Sequence, residues 1–281
     1  MTLVTTAELV AEAGAERRGI GAFNVLHLET AEGLAAGAES AGQPLILQIS
    51  ENCVRFHGSL RPITAAALAV ADASEARLSL HLDHAESEDL VREAIDLGFS
   101  SVMFDASKLD FAENVARTTA VAALAHEHGL FIEAELGEVG GKDGVHAPGA
   151  RTDPQEARTF VAATGVDALA VAVGTSHAMT TRDAVLDLGL VSRLRDEVGL
   201  PLVLHGSSGV ADPDLRRVIT AGITKVNVST HLNASFTGGV RRHLADHPAT
   251  VDSRRYIGAG RDSLARETTR LLHLLAGGRT S

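Results

Sequence analysis

The chain has 281 residues, 45% of them hydrophobic and 22% charged, which is enough to bury a large core in one large domain or in two ordinary ones. Its 25 Lys and Arg against 36 Asp and Glu leave a net charge of −11, so nucleic acid and anionic membranes find no long-range attraction and any anionic ligand must be held by local groups. Cys53 is the only cysteine, which excludes an internal disulfide and suits a reducing cytoplasm.

The N-terminal MTLVTTAELVAEAGAERRG reads as an amphipathic helix with Thr5 or Thr6 as its N-cap, not as a targeting segment, and no apolar run is long enough to cross a bilayer. From there short β-rich runs alternate with Ala-rich helical stretches. The predicted strands are GIGAFNV (19–25), PLILQIS (44–50), LSLHLD (78–83), SVMFD (101–105), LFIEAEL (130–136), ALAVAV (168–173), PLVLHG (201–206) and TKVNVS (224–229). No low-complexity linker or compositional shift interrupts them, so residues 1–281 are expected to form a single domain. Eight strands with helices between them predict a closed (β/α)8 TIM barrel, with extra C-terminal helices after the eighth strand.

Barrel enzymes carry their chemistry at the C-terminal strand ends. Polar residues collect there: Asn24, Gln48 with Ser50, Asp83 with His84, Asp105 with Ser107, Glu133 with Glu135, Gly174 to His177, His205 to Ser208, and Asn227 to Thr230. An open doubly wound sheet would gather its ligands at one switch point instead. His84, His177 and His205 leave strands three, six and seven, and three neutral imidazoles with an open position are the ligand set of a catalytic zinc. Glu135 offers an oxygen to the same ion or a hydrogen bond to one of its imidazoles. Asp83, beside His84, is poised to move a proton near the metal. HGSSGV (205–210) and NVSTHL (227–232) follow strands seven and eight, where small residues let backbone N–H groups and hydroxyls surround a phosphate.

HLDHAE, SVMFDASKLDFAENV, EAELGEVGG, TGVDALAVAVGTSHA, PLVLHGSSGV and TKVNVST together resemble the class II, metal-dependent ketose-bisphosphate aldolases, over a span from Asn24 to beyond Arg254. The resemblance implies a zinc enzyme that reversibly splits fructose 1,6-bisphosphate, or its tagatose epimer, into dihydroxyacetone phosphate and glyceraldehyde 3-phosphate. It implies one zinc per chain, a monovalent cation as a further candidate cofactor, a cytoplasmic setting, and a homodimer or homotetramer without nucleic-acid or membrane partners. By that resemblance Asp83 is the proton donor, and His84, His177 and His205 are the zinc ligands with Glu135 beside them. Gly206, Ser207 and Ser208 with Asn227, Val228, Ser229 and Thr230 are the dihydroxyacetone phosphate clamp. Asn24, Ser50 and Ala178 join the substrate contacts, and Arg254 is the residue used on the far phosphate, often from a neighbouring subunit.

Two departures stand out. The loop after strand five reads GGKDGVH (140–146) where relatives have a GG-x-E-D-G pattern, which makes Asp143 the candidate for the second proton transfer. Ala178 and Met179 stand where relatives have Gly and an aromatic residue. The rival readings are a Schiff-base aldolase on Lys225, a metal hydrolase on the same fold, an aldolase for another phosphorylated sugar or sugar acid, and a non-catalytic sugar-phosphate sensor.

Overall fold

The computed structural model describes residues 3–136, 151–177 and 179–277. Eight parallel strands close in chain order: β1 (Ile20–Asn24), β2 (Leu45–Ser50), β3 (Leu78–Ala85), β4 (Ser101–Phe104), β5 (Phe131–Leu136), β6 (Ala168–Val171), β7 (Leu202–Leu204) and β8 (Ile223–Val228). The ring is sealed by β1 against β8, with Ala22 opposite Asn227. Helices cover the outside between strands, as parallel crossovers require, and each predicted strand is observed to within a few residues of its expected ends.

The two-residue period of each strand sorts its side chains into two cores. Outward positions such as Leu45, Leu47, Ile49, Leu78, Leu80 and Leu82 pack under the helices. Inward positions begin at the N-terminal end with an apolar plug of Ile20, Ala22, Ile46, Met103, Phe131, Ala168 and Val203, closed from below by Leu9, Val10 and Ala13 of the helix Thr6–Ala15. Thr5 is the N-cap of that helix and accepts from the Glu8 N–H at 3.2 Å, while Thr6 turns inward to bond Ser79.

Further along the same inward rows the residues become polar: Gln48, His81, Glu133 and Lys225 in the middle, then Asn24, Asp83, Glu135, His205 and Asn227 toward the mouth. The extra C-terminal helices are Thr230–Asp246 and Ser253–Leu275, and the second lies against the helix Leu28–Ala41. Gly37 permits that approach, because a Cβ there would meet the Thr268 Cβ at 2.5 Å and the Ala265 carbonyl at 2.7 Å.

Candidate active site

In β3, His81, Asp83 and His84 crowd into four positions. His81 and Asp83 are two apart and both enter the barrel, so strict alternation would send His84 to the outside. Instead His84 adopts a left-handed φ of 53°, and the register against β4 shifts between Leu82 and Ala85. This bulge re-aims the imidazole into the mouth, at a backbone cost of about 1–3 kcal/mol that the surrounding packing must offset.

His84 then meets His177 and His205 with ring centroids 5.1 and 4.6 Å away. Ligand atoms of His84, Glu135, His177 and His205 all lie within 4.8 Å of one another, a cluster able to hold one metal ion. The hydrogen bonds behind these rings fix which nitrogen faces inward. His84 Nδ1 is 2.7 Å from Asp105 Oδ2, which leaves Nε2 for the centre. Asp105 is itself braced by the Ser107 hydroxyl at 2.6 Å. His205 Nε2 donates to Glu133 Oε1 at 2.9 Å, and its buried Nδ1 makes no hydrogen bond although Glu135 Oε2 is 3.1 Å away. A buried imidazole lone pair facing a carboxylate across an N, N, N, O donor set fits a divalent ion of the zinc type.

Below the cluster runs a chain of polar groups that joins Lys225 and Glu133 to His81, Ser101 and Thr6. Lys225 Nζ donates to Glu133 Oε2 at 2.8 Å and reaches His81 Nε2 at 3.4 Å. His81 Nδ1 is 2.8 Å from Ser101 Oγ, which donates to Thr6 Oγ1 at 2.7 Å. Burial and the neighbouring Lys225 charge push His81 down to about 3, so it is neutral. Burial would raise Glu133, but Lys225 and His205 more than reverse that and hold it well below the usual carboxylate range. Lys225 is fully buried under this cover, which removes the access a Schiff-base mechanism needs.

Above the cluster is a cavity of about 260 Å³ whose lining includes Asn24, Gln48, Ser50, Asp83, His84, His177, Gly206, Ser208, Asn227, Ser229 and Thr230. Asp83 accepts from Asn227 Nδ2 at 3.3 Å. Burial pushes its carboxyl up, and the neighbouring His84 and His205 rings with the Lys225 charge more than reverse this, so it stays ionised below its ordinary value. Gln48 donates to Asn24 at 2.7 Å and steadies that wall. Gly206 has φ 65°, and a Cβ on it would meet the Ser176 carbonyl oxygen at 2.6 Å, so glycine lets the β7 loop seat against the segment carrying His177. Ser208 Oγ accepts from the His231 N–H at 3.1 Å and ties the β7 loop to the start of the helix after β8.

Several expected residues lie elsewhere. Ser207 and Val228 are buried outside the lining, and the Ser207 hydroxyl donates to the Asn227 carbonyl, so both present only backbone to a ligand. Arg254 is at the start of Ser253–Leu275, paired with Asp252 at 2.8 Å, its side chain 89% exposed and outside its own chain's cavity. Asp143 and Ala178 lie outside the described residues. The mouth also contains residues that strand-end reasoning passed over: Glu51, Asn52, Arg55, Glu86 and Lys108. They sit on the helices and loops beyond the strand ends, and only the N-cap Ser50 before a helix at Glu51–His57 signalled that this segment would turn over the mouth.

The family model described as fructose-bisphosphate aldolase class-II matches residues 4–278. The chain belongs to this family. It is similar to the fructose-bisphosphate aldolase of Geobacillus stearothermophilus, at 38% identity over 268 residues covering 94% of this chain and 93% of the relative. The fructose-bisphosphate aldolase of Giardia intestinalis is 36% identical over 290 residues, covering 94% and 90%. Among solved structures, the YdjI aldolase from Escherichia coli K12 superposes with a TM-score of 0.86 at 30% identity, covering 97% of both chains. As a class II aldolase the chain is an aldehyde-lyase of (β/α)8 barrel form. No described helix is long and apolar enough to cross a membrane.

Proposed function

We propose that this chain, acting as one barrel domain in the cytoplasm, reversibly cleaves the C3–C4 bond of fructose 1,6-bisphosphate to dihydroxyacetone phosphate and glyceraldehyde 3-phosphate. The observation that carries the reading is the four-donor cluster of His84, Glu135, His177 and His205 beneath a polar cavity that also holds Asp83 and the small-residue loops. One zinc would be held by the three imidazoles with Glu135 as an alternative oxygen. When bound it supplies a Lewis acid for the substrate oxygens on which charge develops.

The chain's own groups do the rest. Asp83, ionised and steadied by Asn227, takes the proton of the C4 hydroxyl in cleavage and returns it to the aldehyde oxygen in condensation. As the C3–C4 bond breaks, its electron pair stays with the three-carbon fragment, and a second group must protonate C3; Asp143 is assigned that role. Backbone N–H groups of residues 206–208 and 228–230 with the hydroxyls of Ser208, Ser229 and Thr230 bind the dihydroxyacetone phosphate end, with a monovalent cation as a further component. Asn24, Ser50 and Ala178 shape the sugar pocket. Arg254, exposed and outside the lining of its own cavity, suits the neighbouring site of a homodimer or homotetramer. The tagatose epimer is the second substrate, since only the C4 configuration separates the two.

Metal analysis with a cleavage assay on both epimers tests this. About one zinc per chain, activity lost with the metal on chelation, and faster turnover of the fructose epimer are expected. Asp83→Ala should keep zinc and lose roughly two to four orders of magnitude in cleavage. Asp143→Ala should slow hydrogen exchange at C3 of dihydroxyacetone phosphate. Full turnover of metal-free protein, or borohydride trapping of a lysine adduct, would overturn the reading.

A further inference from the structure

The three imidazoles of the cluster are not carried alike. His84 belongs to β3 and His205 follows directly on β7, whereas His177 lies in the segment 172–187 between β6 and the helix Leu188–Val198. Its position therefore depends on what holds that segment in place. Left loose, a ligand on a loop must be ordered at the moment the ion binds, and the conformational entropy lost then is subtracted from metal affinity.

The segment is fastened to the β7 loop on both sides of His177. Before it, the Ser176 carbonyl seats against Gly206. After it, Met179 covers Gly209 so closely that a Cβ there would come within 2.8 Å of the Met179 Cβ. The Ala184 N–H donates to the Gly209 carbonyl at 2.9 Å. Between these contacts Arg182 makes the only charged tie to the loop: Nε at 2.9 Å and Nη2 at 2.6 Å both donate to the Val210 carbonyl, and Nη2 also donates to Asp212 Oδ1 at 2.6 Å. A planar guanidinium gripping a carbonyl and a carboxylate at once fixes direction as well as distance.

The receiving end of this grip is itself anchored. Asp212 opens the helix Asp212–Ala221 and is shared with Arg270 of the C-terminal helix. Arg270 pairs with Glu267 at 2.7 Å and Glu267 with His231 at 2.6 Å, and the His231 N–H donates to Ser208 Oγ. The carboxylate that Arg182 meets thus stays with the β7 loop and the C-terminal helix.

We propose that Arg182 is a positioning residue for the metal: it latches the segment bearing His177 onto the β7 loop, so that the third imidazole stands in place before the ion arrives. The latch rests on His177 being a zinc ligand, as argued above. Arg182 is outside the cavity lining and acts through His177 alone.

The test is a double-mutant cycle of Arg182→Gln and His177→Ala read by zinc affinity in chelator competition. Arg182→Gln should weaken zinc about 10- to 100-fold, the range for groups that orient a metal ligand. In urea the metal-free variant should unfold close to the wild type, because the pairs that Arg182 loses are partly hydrated. In the His177→Ala background the same substitution should weaken zinc no further, since the group it positions is gone. Arg182→Lys restores the charge facing Asp212 without the paired donation to Val210, and its affinity should fall between wild type and Arg182→Gln. Should Arg182→Gln fail to fold, the cycle is run with Arg182→Lys and is judged by the same outcomes. Unchanged zinc affinity in the Arg182 variant, or the same loss with and without His177, refutes the latch and leaves the metal site standing. Unchanged zinc affinity in His177→Ala alone removes the ligand assignment and the latch together.

Discussion

Two carboxylate-cation networks brace the mouth from different sides, and they differ in their access to water. In the barrel interior Lys225 and Glu133 face each other at 2.8 Å with neither side chain exposed. Outside, Arg182 pairs with Asp212 at 2.6 Å, Asp212 with Arg270, Arg270 with Glu267 at 2.7 Å, and Glu267 with His231 at 2.6 Å, the side chains 20–34% exposed. This outer set ties the segment after β6, the helix Asp212–Ala221 after β7 and the helix after β8 to the C-terminal helix. The inner pair has given up its hydration, so removing one member strands the other, and its role is to orient His205 more than to stabilise the fold. The outer set keeps water as an alternative partner and shares each charge among several neighbours, so single losses are smaller.

Lys225→Met should break this comparison most visibly. It leaves Glu133 buried without its cation, and about 3–5 kcal/mol of stability should be lost in urea denaturation. Zinc affinity by chelator competition should fall about 10- to 100-fold, because the acceptor behind His205 is disturbed. Adding Glu133→Gln to that variant removes the stranded charge and should return most of the stability, while zinc stays weaker because an amide accepts from His205 less strongly. Equal recovery of both quantities would reduce the pair to a packing element.

Next in size is Glu267→Gln in the outer network. Burial raises the Glu267 carboxyl, but His231 and Arg270 outweigh it and draw it down from 4.5 to about 2. A depressed carboxylate contributes above its unfolded value, so this stability is full above pH 4.5 and is lost as pH falls through about 2. With screening, about 1–2 kcal/mol should disappear at pH 7 in the variant, and its stability should change less with pH between 4.5 and 2. Denaturation at pH 7, 4 and 2.5 reads both effects. The smallest change is expected at the exposed pair of Arg61 with Glu93, 3.6 Å apart, where Arg61→Ala should alter stability by less than about 0.5 kcal/mol. A larger loss there than at Lys225 would overturn the ordering.

The candidate site was legible in part, and the division follows the backbone. Asp83, His205 and Asn227 stand at predicted strand ends, and the two-residue period of the strands carries all three into the barrel. Alternation by itself would place His84 outside; the bulge that turns it inward is visible only in its φ of 53° and the β3–β4 register. Ser207 and Val228 were picked with their loops, yet their side chains turn away from the cavity, because loop conformation decides what a side chain faces. Lys225, the residue of the rival Schiff-base reading, is held by Glu133 from a strand 92 residues away in the chain, a contact that no local pattern announces.

By itself the sequence determined the eight strands, their order, the polar ends that would line one mouth, and the small-residue loops after the seventh and eighth strands. These are local properties, set by side-chain period and turn chemistry over a few residues. Tertiary structure alone decided which residues meet across the barrel: the Lys225–Glu133 pair under His205, the helix Thr6–Ala15 closing the floor, and Glu86 drawing Arg55 and Lys108 to one point. Such contacts depend on ring closure and strand register, which juxtapose positions far apart in the chain, and no local pattern encodes the distance between them.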